Sequence, residues 1–294
     1  MTLSAAALEE RSAQAALALR DCHLCGNHCA IDRTQRAGPC GIAGVAYVAS
    51  YGPHHGEEDP LRGWRGSGTI FFSGCNLHCI YCQNADISQA VVGRPVTSAE
   101  LAEMMLALQA QGCHNINWVS PTHVAAHLVP ALVLALGGGL RIPIVYNTGG
   151  YDAPQALALM DGLVDIYMPD MKYADGEAGR RLSGVGDYPA VNRAAVREMH
   201  RQVGDLRLDD RGLAVRGLLV RHLVLPEGLA GTSEVARFLA EEISPDTYIN
   251  VMAQYRPAYR AAEEPALRRR VTAAEVAEAL GEARAAGLHR FDKG

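Results

Sequence analysis

The stretch that decides the fold is residues 66–82, which read GSGTIFFSGCNLHCIYC. Residues 69–73 within it are rich in β-branched and aromatic side chains and predict a buried strand. A glycine turn follows, and three cysteines, Cys75, Cys79 and Cys82, then share one short loop. The stretch therefore predicts a strand whose carboxyl end carries three thiol ligands.

Three cysteines on a single loop favour an iron-sulfur cluster over a structural zinc site. A closed zinc site takes four protein ligands, whereas iron-sulfur clusters are bound mainly by cysteine thiolates. Three thiolates would leave one iron of a 4Fe-4S cluster free to bind a small molecule. The alternative is a zinc site whose fourth ligand is His78 or comes from another segment of the chain, but a polar residue of a surface loop is the simpler interpretation of His78.

Around this stretch, short β-rich runs alternate with helical patterns, as in repeated βα units. Capping boxes at Thr97-x-x-Glu100 and Thr272-x-x-Glu275 mark two helix starts. Repeated right-handed crossovers predict a partial (β/α)6 barrel of the TIM type, and a flat doubly wound sheet is the alternative. The six candidate strands are residues 69–73, 115–119, 142–147, 164–170, 218–225 and 247–252.

The amino-terminal part differs, because it is rich in Cys, Gly and turn residues and lacks a periodic apolar pattern. We predict a small metal-binding module and connector in residues 1–65 and the barrel in residues 66–294. Four thiolates suit either a structural zinc or an auxiliary iron-sulfur cluster, and spacing does not separate the two. The four candidate ligands are Cys22, Cys25, Cys29 and Cys40.

Composition excludes several other classes of protein. A net charge of −5 and a pI of about 6.1 give no basic surface for nucleic acid. No secretory or membrane-spanning pattern is visible, so the eight cysteines are expected to be reduced and the protein cytoplasmic. Cys113 stands apart from both cysteine groups and is expected to be a small buried residue.

The loop resembles the motif of the radical S-adenosylmethionine superfamily, Cys-x3-Cys-x2-Cys with an aromatic residue before the last cysteine. That resemblance implies that S-adenosylmethionine binds the open iron through its amino and carboxylate groups. Reductive cleavage would then yield a 5′-deoxyadenosyl radical that abstracts hydrogen from a substrate. It also implies that Tyr81 lies near the adenine.

Within the superfamily, nearly the whole chain resembles activating enzymes of glycyl radical enzymes, in particular the uncharacterised group similar to pyruvate formate-lyase activating enzyme. The resemblance rests on residues 66–75, 120–123, 146–151 and 165–172. It implies that Lys172 neutralises the methionyl carboxylate and that Asp170 orients it. It also implies a monovalent-cation site lined by Asn147, Thr148 and Asp170, and places Arg221 beside the adenosyl group.

One sequence motif of the activating enzymes is absent from this chain. The Gly-Gly-Glu sequence that holds the amino group of S-adenosylmethionine is replaced by residues 120–123, Ser-Pro-Thr-His. Ser120, Thr122 or His123 could accept the hydrogen bonds from that amino group instead, and His123 could equally cap a helix or contact the substrate. The departure puts in doubt any direct transfer of substrate specificity from the activating enzymes.

Three functions remain open at this point. The resemblance implies a glycyl radical enzyme as protein substrate and a reductant such as flavodoxin or ferredoxin. The second hypothesis is a radical enzyme that modifies another peptide or a small molecule, with residues 254–257 as a substrate-side candidate. The third is a noncatalytic metal-binding scaffold.

Overall fold

The computed structural model describes residues 4–293, which are built around a 10-stranded, mostly parallel sheet. The strands are β1 (Ala46–His54), β2 (Ser67–Phe72), β3 (Arg94–Val96), β4 (Ile116–Val119), β5 (Ile144–Thr148), β6 (Ile166–Pro169), β7 (Arg207–Leu208), β8 (Ala214–Leu223), β9 (Tyr248–Met252) and β10 (Arg290–Phe291). The α-helices are α1 (Ala5–Ala18), α2 (Asp59–Arg62), α3 (Ala85–Ser88), α4 (Ser98–Ala110), α5 (Ala125–Gly137), α6 (Pro154–Met160), α7 (Gly176–Ser183), α8 (Tyr188–Val203), α9 (Thr232–Phe238) and α10 (Ala273–Ala285).

All six predicted strands form, and they lie side by side in the order β2-β4-β5-β6-β8-β9 with every neighbouring pair parallel. The predicted partial (β/α)6 barrel is therefore confirmed. The described part of the sheet has β3 and β10 at its two ends. Because parallel strands share one direction, the loops after them gather at one face, where barrel sites are built.

The sequence did not predict β1, which pairs antiparallel with β2 from Val48↔Phe72 to His54↔Ser67. The strand contains Gly52 and Pro53, which are turn residues by composition. Proline is nevertheless tolerated where a strand has a free edge, and β3 pairs only with the first three residues of β1. The strand lies amino-terminal to residue 65 and yet belongs to the barrel sheet.

The predicted helix starts are correct where the capping boxes are. Thr97 Oγ1 accepts from the Glu100 amide and the Glu100 carboxylate accepts from the Thr97 amide, so α4 begins after Thr97. Thr272 and Glu275 repeat these two hydrogen bonds before α10. None of the helices in residues 4–293 is long and apolar enough to cross a bilayer.

The amino-terminal segment packs onto the barrel. Ala15, Leu24 and Ile42 belong to the same buried core as Ile70 and Trp118 of the barrel strands. The division at residue 65 accordingly stays a prediction, because the two parts share one core. Cys113 is also buried in that core, as expected.

The connector between β1 and β2 packs inside the barrel. Leu61 is fully buried among Val145, Ile166 and Leu219, which point inward from β5, β6 and β8. Just before it, Glu58 reaches across the interior to β8 and β9. The connector therefore runs inside the barrel, from Gly56 and Glu57, which line a cavity at the carboxyl ends of the strands, to Leu61, whose carbonyl accepts from Asn115 Nδ2 just before β4.

Candidate active site

A cavity of about 400 Å³ lies at the carboxyl ends of the parallel strands. Cys75, Cys79 and Cys82 all line it, although they are separated by three and then two residues. The structure therefore brings the three predicted thiol ligands to one wall of one cavity.

The cysteine loop takes its shape from Gly74, which has a φ of +78°. A Cβ at this position would lie 2.4 Å from the Cys40 carbonyl oxygen, so no other residue fits without moving the chain. The Gly74 amide donates to the Ile87 carbonyl at 2.9 Å, and Ser73 Oγ donates to the Ala90 carbonyl at 3.0 Å. The loop is thus fixed against both α3 and the amino-terminal segment.

Burial, together with the neighbouring Cys79, raises the pKa of Cys75 to about 12. Burial likewise raises the pKa of Cys79, although Lys172 and Ser183 oppose the rise. Such thiols stay protonated at neutral pH unless a metal draws the proton off. The loop is therefore suited to metal ligation rather than to free thiolate chemistry.

A 4Fe-4S cluster fits this arrangement better than a zinc ion does. In such a cluster each cysteine binds a different iron, so its thiolates surround a volume rather than meet at one atom. Within residues 4–293, no three Cys, His, Asp or Glu side chains are placed to share one ion, and this holds for the amino-terminal cysteines as well as for the loop. His78 is exposed and its Nδ1 lies 3.0 Å from Gln89 Oε1, outside the cavity lining.

Asp170 and Lys172 face the cysteines across the cavity, just after β6. Lys172 Nζ donates to Asp170 Oδ2 at 2.5 Å, and the two side chains are only 18% and 23% exposed. Burial alone would lower the pKa of Lys172, but Asp170 and Cys79 hold it well above the ordinary value. The cavity thus contains a permanent cation beside the metal ligands, which suits an anionic group of a bound cofactor.

Three further predicted site residues line the same cavity, namely Ser120, Asn147 and Thr148. Ser120 follows β4 with a φ of +57°, a strained backbone of the kind that collects at functional sites. Asn147 Oδ1 accepts from Arg221 Nη1 at 3.3 Å. The ends of β4, β5 and β6 therefore supply polar atoms to the wall opposite the cysteines.

Thr122 and His123, by contrast, do not line the cavity. Thr122 Oγ1 donates to Asp152 Oδ1 at 2.7 Å, and His123 Nε2 lies 2.8 Å from the Ser73 carbonyl. Burial lowers the pKa of His123 to about 4, so its ring is neutral and donates to that carbonyl. The structure separates these two residues from Ser120 and gives them contacts that support the cysteine loop and the Thr148 turn.

Sequence reasoning missed Asp152, which organises that turn. Its carboxylate is fully buried and accepts from the hydroxyls of Thr122, Tyr146 and Thr148 at 2.7, 3.0 and 2.6 Å. Burial raises the pKa of Asp152, and the hydroxyl donors oppose the rise. Asp152 lies five residues after Asn147, and this closeness to a predicted site residue could have drawn attention to it. It belongs to no recognisable motif.

Tyr81 lines the cavity and is connected to Cys79 by a series of hydrogen-bonded hydroxyl groups. Tyr81 OH lies 2.6 Å from Tyr173 OH, Tyr173 OH lies 2.7 Å from Ser183 Oγ, and Ser183 Oγ donates to Cys79 Sγ at 2.9 Å. When Cys79 is bound to a metal its thiolate only accepts, so each hydroxyl would then be oriented toward the sulfur. Tyr173 and Ser183 carry no sequence motif, and sequence reasoning missed both.

Replacing Ser183 with alanine is expected to make the midpoint potential of a cluster bound at Cys79 more negative. A hydrogen bond to a ligating sulfur stabilises the reduced cluster, and its loss is worth about 1 kcal/mol, or about 40 mV for one electron. An anaerobic redox titration followed by electron paramagnetic resonance measures the shift. Ser12→Ala, on the distant α1, is the control, and equal potentials in the two variants would contradict the prediction.

Arg221 does line the cavity, but its guanidinium is already occupied. Arg221 Nε donates to Glu58 Oε1 at 2.7 Å, and Arg221 Nη2 lies 3.5 Å from Glu57 Oε2. Burial would lower the pKa of Arg221, but Glu58 and Glu57 raise it instead. The predicted place of Arg221 beside the adenosyl group stays a prediction, and both glutamates were missed because the connector has no periodic pattern.

The four amino-terminal cysteines lie close enough to influence one another. Burial, with smaller contributions from the thiols of Cys40, Cys22 and Cys29, raises the pKa of Cys25 to about 12. A Cβ at Gly38 would lie 3.4 Å from Cys40 Sγ and 3.8 Å from Cys29 Sγ. The nearby His23 is engaged elsewhere, because its Nε2 lies 3.0 Å from Asp21 Oδ1. The predicted metal site here, zinc or iron-sulfur, stays a prediction.

Arg33 is a buried cation beside these thiols. It is 1% exposed, and none of the ion pairs found in residues 4–293 involves it. Arg33 Nη1 lies 3.9 Å from Cys22 Sγ, and its other hydrogen bonds go to the carbonyls of Ile42, Ala43 and His123. A buried guanidinium needs an anion, and metal-bound thiolates would supply one.

The segment that carries the amino-terminal cysteines also contacts the cavity loop. Asn27 Nδ2 donates to the Asn76 carbonyl at 2.8 Å, and Asn76 Nδ2 donates to the Tyr151 carbonyl at 3.0 Å. The Gly26 amide donates to that same carbonyl at 3.3 Å. The loop of Cys75 is therefore held from one side by the segment that carries Cys25.

Comparison with known proteins identifies the class. The model of the radical SAM superfamily matches residues 69–205. The uncharacterized protein MJ0674 of Methanocaldococcus jannaschii is 32% identical over 271 residues, which cover 89% of this chain and 73% of the relative. The chain belongs to the radical SAM superfamily.

Solved structures show the same fold at low identity. Streptococcus suis SuiB bound to S-adenosylmethionine has a TM-score of 0.50 at 10% identity, covering 74% of this chain and 47% of SuiB. SuiB bound to precursor peptide SuiA gives 0.51 at 11% identity, covering 75% of this chain and 46% of SuiB. The FeFe-hydrogenase maturase HydG from Carboxydothermus hydrogenoformans gives 0.53 at 13% identity, covering 75% of this chain and 51% of HydG. This chain spans about half the length of those proteins.

Proposed function

We propose that this chain reductively cleaves S-adenosylmethionine at a 4Fe-4S cluster bound by Cys75, Cys79 and Cys82. The observation that carries the proposal is a single cavity lined by three thiols and by the Asp170–Lys172 pair. When bound, the cluster and S-adenosylmethionine supply a 5′-deoxyadenosyl radical that abstracts hydrogen from the substrate.

The residues of the chain bind and orient the cofactor. Lys172 neutralises the methionyl carboxylate, and Asp170 holds the ammonium of Lys172 in place at 2.5 Å. Ser120 Oγ accepts from the amino group, and Tyr81 lies against the adenine from the buried side of the cavity. Asn147, Thr148 and Asp170 offer oxygen atoms to a monovalent cation beside the cofactor.

Anaerobic reconstitution of the wild-type protein tests the proposal. Iron and sulfide are counted, the cluster is reduced with dithionite, and 5′-deoxyadenosine is assayed after adding S-adenosylmethionine. We expect 5′-deoxyadenosine to form without any added substrate. A fully loaded cluster that yields none would favour the noncatalytic scaffold.

Changing Lys172 to methionine is expected to weaken S-adenosylmethionine binding by about 10- to 100-fold. A hydrogen bond between ions is worth about 1.5 to 3 kcal/mol, and methionine fills the volume without the charge. Equilibrium dialysis with the reconstituted protein measures the affinity. Arg20→Met, an exposed change far from the cavity, is the matched control, and equal affinities would remove Lys172 from the site.

For the substrate, we propose a backbone glycine of a glycyl radical enzyme, with flavodoxin or ferredoxin as the reductant. The motif phrases shared with activating enzymes support this proposal, while the altered residues 120–123 weaken it. Another peptide is the second candidate, since SuiB of the same fold was solved with a precursor peptide. A glycyl radical signal in a partner protein encoded nearby would separate them.

A second metal site is part of the proposal. Cys22, Cys25, Cys29 and Cys40 would hold either a structural zinc or an auxiliary iron-sulfur cluster, with Arg33 as the counter-ion. The burial of Arg33 without a carboxylate supports an anionic site. Counting zinc and iron in a protein that lacks the three loop cysteines distinguishes the two metals.

A further inference from the structure

Behind the cofactor cavity lies a second cavity of about 540 Å³. The two cavities share Gly56, Glu57 and Arg221 in their linings, so they meet at the Glu57–Arg221 pair. The rest of its lining comes from Glu58, from the end of β9 and the chain after it, from α10, and from the charged residues Asp292 and Lys293. A molecule placed there would lie next to the space assigned to S-adenosylmethionine.

Two buried carboxylates form the boundary between the cavities. The side chains of Glu57 and Glu58 are 5% and 0% exposed. Glu58 Oε1 accepts from Arg221 Nε at 2.7 Å and from Asn250 Nδ2 at 2.9 Å, while Glu57 Oε1 lies 3.2 Å from His54 Nδ1. One oxygen of each carboxylate is thus well satisfied by the protein.

The second oxygen of each carboxylate has no hydrogen-bond donor within residues 4–293. Glu58 Oε2 and Glu57 Oε2 are both buried without a hydrogen bond, and the ion-pair contact of Glu57 Oε2 with Arg221 Nη2 is 3.5 Å long. Leaving a buried charged oxygen without a donor costs more than leaving a neutral one. These two oxygens are therefore places where a ligand can supply hydrogen-bond donors.

Asn117 lies beside Glu57 and belongs to the same buried polar cluster. It is fully buried on β4, and the alternation with core-facing Trp118 turns it toward the barrel interior. It lies near enough to help lower the pKa of Glu57, but neither of its amide atoms makes a hydrogen bond of good geometry. A ligand that reaches Glu57 would also reach this side chain.

Charge decides which ligand fits. Burial pushes the pKa of Glu57 up, but His54 and Arg221 outweigh it and leave the pKa below its ordinary value, so the carboxylate is ionised. Arg221 serves both glutamates and Asn147, and the lining also carries one further charge of each sign, on Asp292 and on the exposed Lys293. A carboxylate or phosphate would meet two like charges here, whereas a nitrogen cation would meet two acceptors.

We propose that the second cavity recognises the substrate by a protonated nitrogen, an ammonium or guanidinium group, held by Glu57 Oε2 and Glu58 Oε2. This inference rests on the proposed function, because it assumes that the substrate enters beside the cofactor. It narrows the substrate to a molecule or peptide that carries a cationic group close to the hydrogen that is removed.

The test uses methylguanidinium as the probe, with its neutral analogue N-methylurea and the anion acetate for comparison. Binding to the reconstituted protein is titrated by saturation-transfer difference NMR at constant ionic strength. We expect methylguanidinium to bind about tenfold or more tightly than either comparison ligand, as one charged hydrogen bond predicts. Equal binding of N-methylurea, or no binding of methylguanidinium, would overturn the inference.

Glu58→Gln removes the charge without changing the volume and is expected to weaken methylguanidinium binding about tenfold. Glu57→Gln is the second variant, in case the first does not fold by circular dichroism. Glu103→Gln, on the exposed face of α4, is the control and should bind like the wild type. Unchanged affinity in a folded glutamate variant would also contradict the inference.

The two proposals can fail separately. If 5′-deoxyadenosine forms but methylguanidinium does not bind, the substrate inference falls and the proposed function stands. If a fully loaded cluster yields no 5′-deoxyadenosine, the proposed function falls whatever the binding result.

Discussion

Replacing Cys79 with alanine is expected to reduce 5′-deoxyadenosine formation to background and to remove the iron bound by the loop. Cys79 is the most enclosed of the three loop cysteines and receives the Ser183 hydrogen bond at 2.9 Å. Without its thiolate, two ligands would remain for a cluster that is bound mainly by cysteine. Iron analysis, the visible spectrum and the 5′-deoxyadenosine assay measure the loss.

Cys113→Ala is the matched control, because Cys113 is also buried but packs in the core away from the cavity. It should keep the cluster and the activity, apart from a modest loss of stability. Any metal that remains in the Cys79 variant reports on the amino-terminal site. A Cys79 variant that still forms 5′-deoxyadenosine would show that the cluster is bound elsewhere.

Replacing Arg33 with methionine is expected to lower the free energy of unfolding by about 3 kcal/mol and to release the metal of the amino-terminal site. The carbonyls of Ile42, Ala43 and His123 would lose their donor, and the thiolates near Cys22 would lose their counter-charge. Urea unfolding and metal analysis of the purified variant measure both effects.

Arg36→Met is the matched control, since Arg36 lies in the same segment but is exposed. An exposed substitution of this kind usually changes stability by less than about 0.5 kcal/mol. If the Arg33 variant kept both its metal and its stability, the guanidinium would not be the counter-ion of a thiolate site.

Much of the barrel could be predicted because its signals are local. A β-rich run next to an amphipathic run marks one βα unit, and Thr97 with Glu100 marks the start of α4 within four residues. The cysteine loop and the Asp170–Lys172 pair are equally local, since their members are two to four residues apart. Once the strands are parallel, both loops must lie at the same face.

The Thr122 and His123 positions show where such reasoning stops. Their place after β4 indicated the cofactor, but Ser120 has a φ of +57° and the chain turns there. The side chains of Thr122 and His123 then point into the protein, toward the Asp152 carboxylate and the Ser73 carbonyl. Strand order alone does not predict this turn, because it depends on which buried acceptors are within reach.

The sequence by itself determined the class of fold, the three-cysteine loop and the charged pair opposite it, because each depends on residues a few positions apart. Only the tertiary structure decided which distant residues complete the site. Ser183 reaches Cys79 over 104 positions, and Glu58 reaches Arg221 over 163. Neither pair has a pattern in the chain, because hydrogen bonding and burial act between atoms that folding brings together.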